Sequence, residues 1–377
     1  MTSDSLKCFF ALVKAGLWEE EVQLSSFWKT DFDEIFRLAE EQSVVGLVTA
    51  GLEHVSDVSI PKDEVLKFVG STIQMEKQNI AMNQFVRKLI QKLRNAGIYT
   101  FLVKGQGVAQ CYERPLWRTC GDVDLFLSDE NYYNANTFLS HLASSVEQEY
   151  VGVKHLGMTI EGWTVELHGS LHVGLTNRIN NILDDIQKDT FFGGNVRSWN
   201  NGGTQVFLLG KENDILYVFV HFLNHFYKGG IGLRQICDWC RLLWTFRNSL
   251  DLQVIEKSIK KMGLLSEWKA FGAFVVEYLG MPIEAMPLLD VRSLKADRRL
   301  RLKAERIKDF ILMSGNFGHN RDMSYFRKYP FFIRKCMSMW MRLTDLYNHT
   351  RIFPMDSLRF FPRIMFNGLK SAARGEG

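Results

Sequence analysis

The run Gly121-Asp122-Val123-Asp124-Leu125-Phe126-Leu127 constrains this chain more than any other feature. It reads as an apolar strand, in which successive side chains point to opposite faces. Asp122 and Asp124 therefore share one face, while Val123 and Leu125 occupy the other. Two like charges on one face repel each other and are costly to desolvate, and a divalent cation is the simplest compensation. Upstream, Leu102-Val103-Lys104-Gly105-Gln106-Gly107 reads as the end of another strand running into a helix. Glycines there let the backbone approach a ligand, and helix N-terminal amides beside a lysine suit an anion.

The same alternation in Val165-Glu166-Leu167-His168 puts Glu166 and His168 on one face of a later strand. If that strand lies beside the Asp122 strand, Glu166 joins the two aspartates. Three carboxylates suit two hard divalent ions such as Mg²⁺ or Mn²⁺, with one carboxylate bridging. Residues i and i+2 lie about 6.6 Å apart along a strand, against roughly 3.5–4 Å between paired catalytic metals, a difference that flexible side chains can span. A triphosphate bridged to the carboxylates through such ions would lie against Lys104, Gly105 and Gln106. Arg118, four residues before Asp122, could hold a phosphate oxygen or form a structural salt bridge.

Around these segments the chain reads as helix, strand, helix, strand, helix and hairpin, a small mixed-sheet α+β core between helical flanks. The spacing of Ile35, Leu38 and Ala39 predicts helices through residues 5–75, with a turn at Pro61. A longer amphipathic helix is expected over Met75 to Ala96, ended by Asn95-Ala96-Gly97. Strands are expected at Tyr99 to Val103, Val123 to Leu127, His155 to Ile160 and Trp163 to Leu167, with a short helix at Gln106 to Cys111 and another beginning after Ser128. From Asn213 onward the pattern is mostly helical. The expected organisation is an N-terminal helical region over 1–75, an α/β core over 76–205 and a C-terminal helical region over 206–377.

Composition narrows the class. With 46% hydrophobic and 23% charged residues the chain has a globular balance, and its six dispersed cysteines give no disulfide framework. The strongest apolar run, Ile215 to Phe226, is interrupted by His221 and Asn224 and falls short of the ~18 residues of a membrane span. A cytoplasmic protein is expected. Charge is unevenly distributed: residues 292–377 hold 19 Lys and Arg against 7 Asp and Glu. Such a region suits a polyanionic partner, or it is a solvated surface balancing an acidic body. The segment Met337 to Lys370 interleaves aromatics with cations, which suits single-stranded nucleic acid or an anionic membrane surface, but Pro354 and Pro362 should break any long helix there, so core packing with a basic exterior is expected.

Other motifs are weaker. His221 and His225 have the i, i+4 spacing of helical zinc ligands, but Phe222 stands where a zinc protease needs glutamate, so a structural or substrate-facing pair is expected. Cys237 and Cys240 lack a second cysteine pair and read as core. Arg234 and Asp238 either ion-pair across a helical turn or buttress a nucleotide pocket. His168 either touches substrate or supports a ligand.

Lys104-Gly105, Arg118, Asp122-Val123-Asp124 and Val165-Glu166-Leu167-His168 together resemble the DNA polymerase beta type nucleotidyltransferase superfamily. The chain is most similar to its uncharacterised bacterial nucleotidyltransferases. Leu38 to Val44, His221, His225, Leu233-Arg234 and Asp238 extend the resemblance over roughly residues 30–245. It implies metal-dependent attack of an acceptor hydroxyl or phosphate on the α-phosphorus of a nucleoside triphosphate such as ATP, with release of pyrophosphate. Asp122, Asp124 and Glu166 would be catalytic metal ligands; Lys104, Gly105, Gln106 and Arg118 would bind the nucleotide; His168, His221, His225, Arg234 and Asp238 would contact substrate or support the site. The acceptor stays open among RNA, a protein hydroxyl and a sugar or phosphate metabolite. Two departures matter: Lys104-Gly105-Gln106 replaces the usual glycine-serine pair, and Glu166 stands where aspartate is more usual. A kinase transferring the γ-phosphoryl group, or an inactive nucleotide-binding protein, would use the same residues.

Overall fold

The computed structural model describes residues 3–27, 29–150, 153–316 and 329–373. Four helices open the chain: α1 (Ser3–Trp18), α2 (Phe32–Glu41), α3 (Val45–Glu53) and α4 (Lys62–Asn95). The core follows as β1 (Phe101–Val103), α5 (Gly105–Ala109), β2 (Asp122–Phe126), α6 (Asp129–Ser140), β3 (Ser145–Val146), β4 (His155–Ile160), β5 (Trp163–His168), α7 (Asn177–Phe192), β6 (Val196–Asn201) and β7 (Thr204–Leu209). The helical remainder comprises α8 (Lys211–Lys228), α9 (Leu233–Phe246), α10 (Leu252–Met262), α11 (Leu265–Leu279), α12 (Val291–Ala296), α13 (Arg298–Ser314), α14 (Phe331–Thr350) and α15 (Pro354–Ala373). The architecture is thus a mixed sheet between helical flanks, as the order of patterns implies.

All seven strands form one sheet in the order β3-β4-β5-β2-β1-β7-β6. The carboxylate strands sit at its centre: β2 pairs parallel with β5 and antiparallel with β1, and Asp124 stands directly opposite Glu166. One face of the sheet is apolar. Val123, Leu125, Val165 and Leu167 pack there against Phe85, Leu89 and Leu93 of α4 and Tyr132 and Leu139 of α6. The other face carries the carboxylates and turns towards the helical body that contains α8. Alternation alone thus sorts this pair of strands into a packing face and a polar face.

Several expectations move. The helix expected from Met75 begins at Lys62 and runs unbroken through 34 residues, because Phe68 and Thr72 continue the buried stripe of Asn79, Met82 and Val86. Pro61 caps this helix, and Asp63 and Glu64 in its first turn suit its positive end. The β6–β7 hairpin and α7 have no counterpart in the expected pattern. β7 nevertheless extends the sheet by pairing parallel with β1. Pro354 opens α15 after α14 has ended at Thr350, so the helix does break there, whereas Pro362 lies inside α15 and does not end it. Cys237 and Cys240 are fully buried free thiols. Exposed Met339, Trp340, Leu343 and Tyr347 line α14, and Met355, Leu358 and Phe366 line α15. Among the described residues no helix is long and apolar enough to cross a membrane.

Candidate active site

Lys104 joins β1 to α5 with φ 58° and ψ −148°, a backbone conformation that normally only glycine adopts. Holding a lysine there costs of order 1–3 kcal/mol and requires support from its surroundings. The support is electrostatic: Lys104 Nζ lies 2.7 Å from Asp124 Oδ1, with Lys104 largely and Asp124 almost fully buried. Burial opposes the ammonium charge, yet Asp124, Glu166 and Asp122 outweigh it and hold the lysine pKa above its usual range. Gly105, at φ 43°, keeps the turn tight against β2, since a Cβ there would come 3.3 Å from Cys120 Sγ and 3.5 Å from the Asp122 carbonyl oxygen.

The parallel register of β2 and β5 brings the third carboxylate to the aspartates. One oxygen from each of Asp122, Asp124 and Glu166 falls within 4.8 Å of the others. The repulsion is visible in Asp122, whose pKa is raised first by the Asp124 charge and then by burial. Glu166 moves the other way. Burial raises its pKa, but hydrogen bonds from His155 and His168 and the charge of Lys104 carry it below the usual carboxylate range. His168 Nε2 is 2.7 Å from Asp124 Oδ1, and His155 Nε2 is 3.1 Å from Glu166 Oε2. For His168, burial disfavours the charge, but Asp124 and Glu166 raise its pKa above the ordinary value.

These donors fit hard divalent ions. Three oxygen ligands converge, two of them on one strand and one on its hydrogen-bonded neighbour, and the mutual repulsion of the aspartates is what a bound cation relieves. Helix α8 closes the other side. Tyr217, His221 and His225 are all within electrostatic reach of Lys104 and Glu166. Burial, then the Lys104 charge, lowers both histidine pKa values, that of His225 to about 4. Their Nε2 atoms are 3.1 Å apart, so one ring donates to the other. Among the described residues no zinc-type cluster includes either histidine.

Of the two settings open to Arg118, the structure shows the buried salt bridge. Its Nε and Nη2 donate to Asp238 Oδ1 and Oδ2 at 2.8 and 2.6 Å, and its Nη1 donates to the Thr119 carbonyl at 3.1 Å. Tyr112 Oη donates to Asp238 Oδ1 at 2.8 Å. Asp238 thus takes Arg118, from a distant segment, as its ion-pair partner, where the helical spacing suggested Arg234. The planar fork of a guanidinium matches a carboxylate, which a tertiary contact can satisfy better than a neighbour on the same helix. Arg234 instead donates to the Thr119 carbonyl at 2.9 Å and lies within electrostatic reach of Asp122. The Gln106 side chain is buried and donates to Asn79 Oδ1 at 2.8 Å.

His155 and Tyr217 are the residues at this site that the sequence did not single out. The strand of His155 and the hairpin turn at Glu161-Gly162 were expected, and that local pairing sets it opposite His168; the sequence offered no sign that its ring would reach Glu166.

The sequence model of a family described as "Uncharacterised nucleotidyltransferase" matches residues 29–280. Among solved structures, the chain is similar to an antigenic nucleotidyltransferase-like protein from Paracoccidioides brasiliensis, at 14% identity and a TM-score of 0.32. That match covers 57% of this chain and 96% of the other. Comparison with curated proteins gives no match.

Proposed function

The chain belongs to the uncharacterised nucleotidyltransferase family, and we propose that it moves a nucleoside monophosphate from a nucleoside triphosphate to an acceptor hydroxyl or phosphate. One observation carries this reading: the carboxylates of Asp122, Asp124 and Glu166 converge within 4.8 Å beside a buried lysine at a strand-to-helix turn.

The acceptor oxygen attacks the α-phosphorus in line, the bond from that phosphorus to the bridging oxygen breaks, and pyrophosphate leaves. Asp122, Asp124 and Glu166 would hold Mg²⁺ or Mn²⁺, which when bound screens phosphate charge and makes the acceptor hydroxyl more acidic. Lys104, kept protonated, offers its charge to the β- and γ-phosphates, and the Gly105 and Gln106 amides face the same anion. Arg118 takes a supporting role in this scheme: clamped by Asp238, it fixes the segment that leads into β2. Arg234 adds positive charge beside Asp122. The neutral His221–His225 pair forms the wall across from Glu166.

Release of pyrophosphate from a nucleoside triphosphate tests the reading. It should require Mg²⁺ or Mn²⁺, stop with a chelator, and vanish in Asp122→Ala and Asp124→Ala. Release that ignores the chelator, or wild-type rates in either variant, would overturn it. The basic C-terminal region supports a polyanionic acceptor or surface, given its exposed aromatics among arginines. Binding to single-stranded RNA should then weaken steeply between 50 and 200 mM salt. A flat response removes that contact.

A further inference from the structure

Strand β4 brings a second donor set to the carboxylate face. His155 and His168 stand directly opposite each other across the antiparallel β4–β5 ladder, with ring centroids 4.8 Å apart. Their Nε2 atoms lie 3.1 and 3.5 Å from Glu166 Oε2, that of His168 also 2.7 Å from Asp124 Oδ1. Gly157 stands opposite Glu166, and a Cβ there would come 2.5 Å from Glu147 Oε2. The missing side chain therefore admits another carboxylate over the same stretch of sheet.

The donor atoms of His155, Glu166 and His168 all lie within 4.8 Å of one another, a trio that shares only Glu166 with the aspartate set. Tetrahedral zinc, with ligand bonds of ~2.0–2.2 Å, spaces its ligand atoms roughly 3.3–3.5 Å apart. The two nitrogen-to-oxygen separations of 3.1 and 3.5 Å already approach that spacing. Imidazole nitrogen suits borderline transition ions, whereas Mg²⁺ prefers oxygen. His155 and Glu166 are each about a quarter exposed, at 25% and 27%, so an ion can enter from solvent.

We propose that His155, Glu166 and His168 form a seat for a divalent transition ion of the zinc and cobalt class, chemically distinct from the oxygen seat of Asp122 and Asp124. The seat shares Glu166 with the nucleotidyl-transfer reading but does not require that reaction, so it is tested without nucleotide.

Metal-stripped full-length protein titrated with Co²⁺ should develop a visible absorption band well above that of aqueous Co²⁺. Zn²⁺ should displace the ion, and a 100-fold excess of Mg²⁺ should not. Loss of an outer-shell partner typically costs 10–100-fold in metal affinity, so His155→Ala and His168→Ala should each cost at least ~100-fold. Asp122→Asn should change it by less than ~10-fold. Circular dichroism checks folding, and if His168→Ala unfolds, the half-buried His155→Ala still decides. A wild-type spectrum equal to that of the buffer, displacement by Mg²⁺, or unchanged Co²⁺ affinity in His155→Ala would each overturn the proposal and leave the histidines as hydrogen-bond supports of Glu166. A normal Co²⁺ band in a protein that releases no pyrophosphate would sink the transfer reading alone.

Discussion

Two buried cation–carboxylate pairs of this molecule behave as opposites. Arg118–Asp238 is closed: two parallel hydrogen bonds of 2.8 and 2.6 Å, a tyrosine hydroxyl on the same carboxylate, and side chains only 5% and 7% exposed. Lys104–Asp124 is open. One ammonium at 2.7 Å serves a carboxylate that also meets His168, and two further carboxylates stand beside it. The first pair is satisfied and can only hold structure; the second leaves like charges facing each other and gains from an added cation. Burial of an ion pair therefore does not by itself mark a site, whereas a surplus of one sign does.

The contrast can be broken most severely at the open site. Asp122→Asn removes one of two repelling carboxylates and should cut turnover by more than ~1000-fold while leaving the melting temperature equal or higher. A large drop in melting temperature would mean that the cluster is structural. At the closed pair the effect should invert: Asp238→Ala strands the Arg118 guanidinium and should cost about 3–5 kcal/mol in urea unfolding. A loss below ~1 kcal/mol would show that the pair is not the strut described. Lys104→Met should sit between the two, lowering turnover roughly 100-fold as a lost charge-stabilising contact does, with a smaller stability change because Asp124 keeps His168.

The mildest effect belongs to a third buried group. Glu267 in α11 accepts a hydrogen bond from Tyr227 Oη at 3.1 Å, and burial, then the Asp356 charge, pushes its carboxyl up to about 8. An unfolded glutamate titrates near ~4.3, so between that value and about 8 the folded state holds the extra proton. Stability should therefore fall as pH rises through this window. Glu267→Gln should flatten that fall and raise the melting temperature at pH 8 relative to wild type. Parallel melting curves against pH would contradict the shift.

What could be read in advance follows the range of each signal. Asp122, Asp124, Glu166 and His168 declare a shared face through the period-two alternation of their own strands, and the observed Asp124–Glu166 register brings the two strands together. The turn at Lys104 was legible from Gly105 and Gly107. Non-local partners were not. Asp238 reaches Arg118 across 120 residues of sequence, while the hairpin that sets His155 opposite His168 was local and legible, though the contact of its ring with Glu166 was not. The β6–β7 hairpin left a trace in Asn201-Gly202-Gly203, but the alternation of Val196 to Asn201 is mostly polar and gave the reading little to hold.

The central claim is that the open cluster supports transfer of a nucleotidyl group. The most direct measurement incubates the wild-type protein and Mg²⁺ or Mn²⁺ with nucleoside triphosphate labelled at the α- or the γ-phosphorus, offering RNA, protein and small hydroxyl or phosphate acceptors. The α-label should pass to an acceptor while the γ-label leaves as pyrophosphate; passage of the γ-label alone would contradict nucleotidyl transfer and identify a kinase.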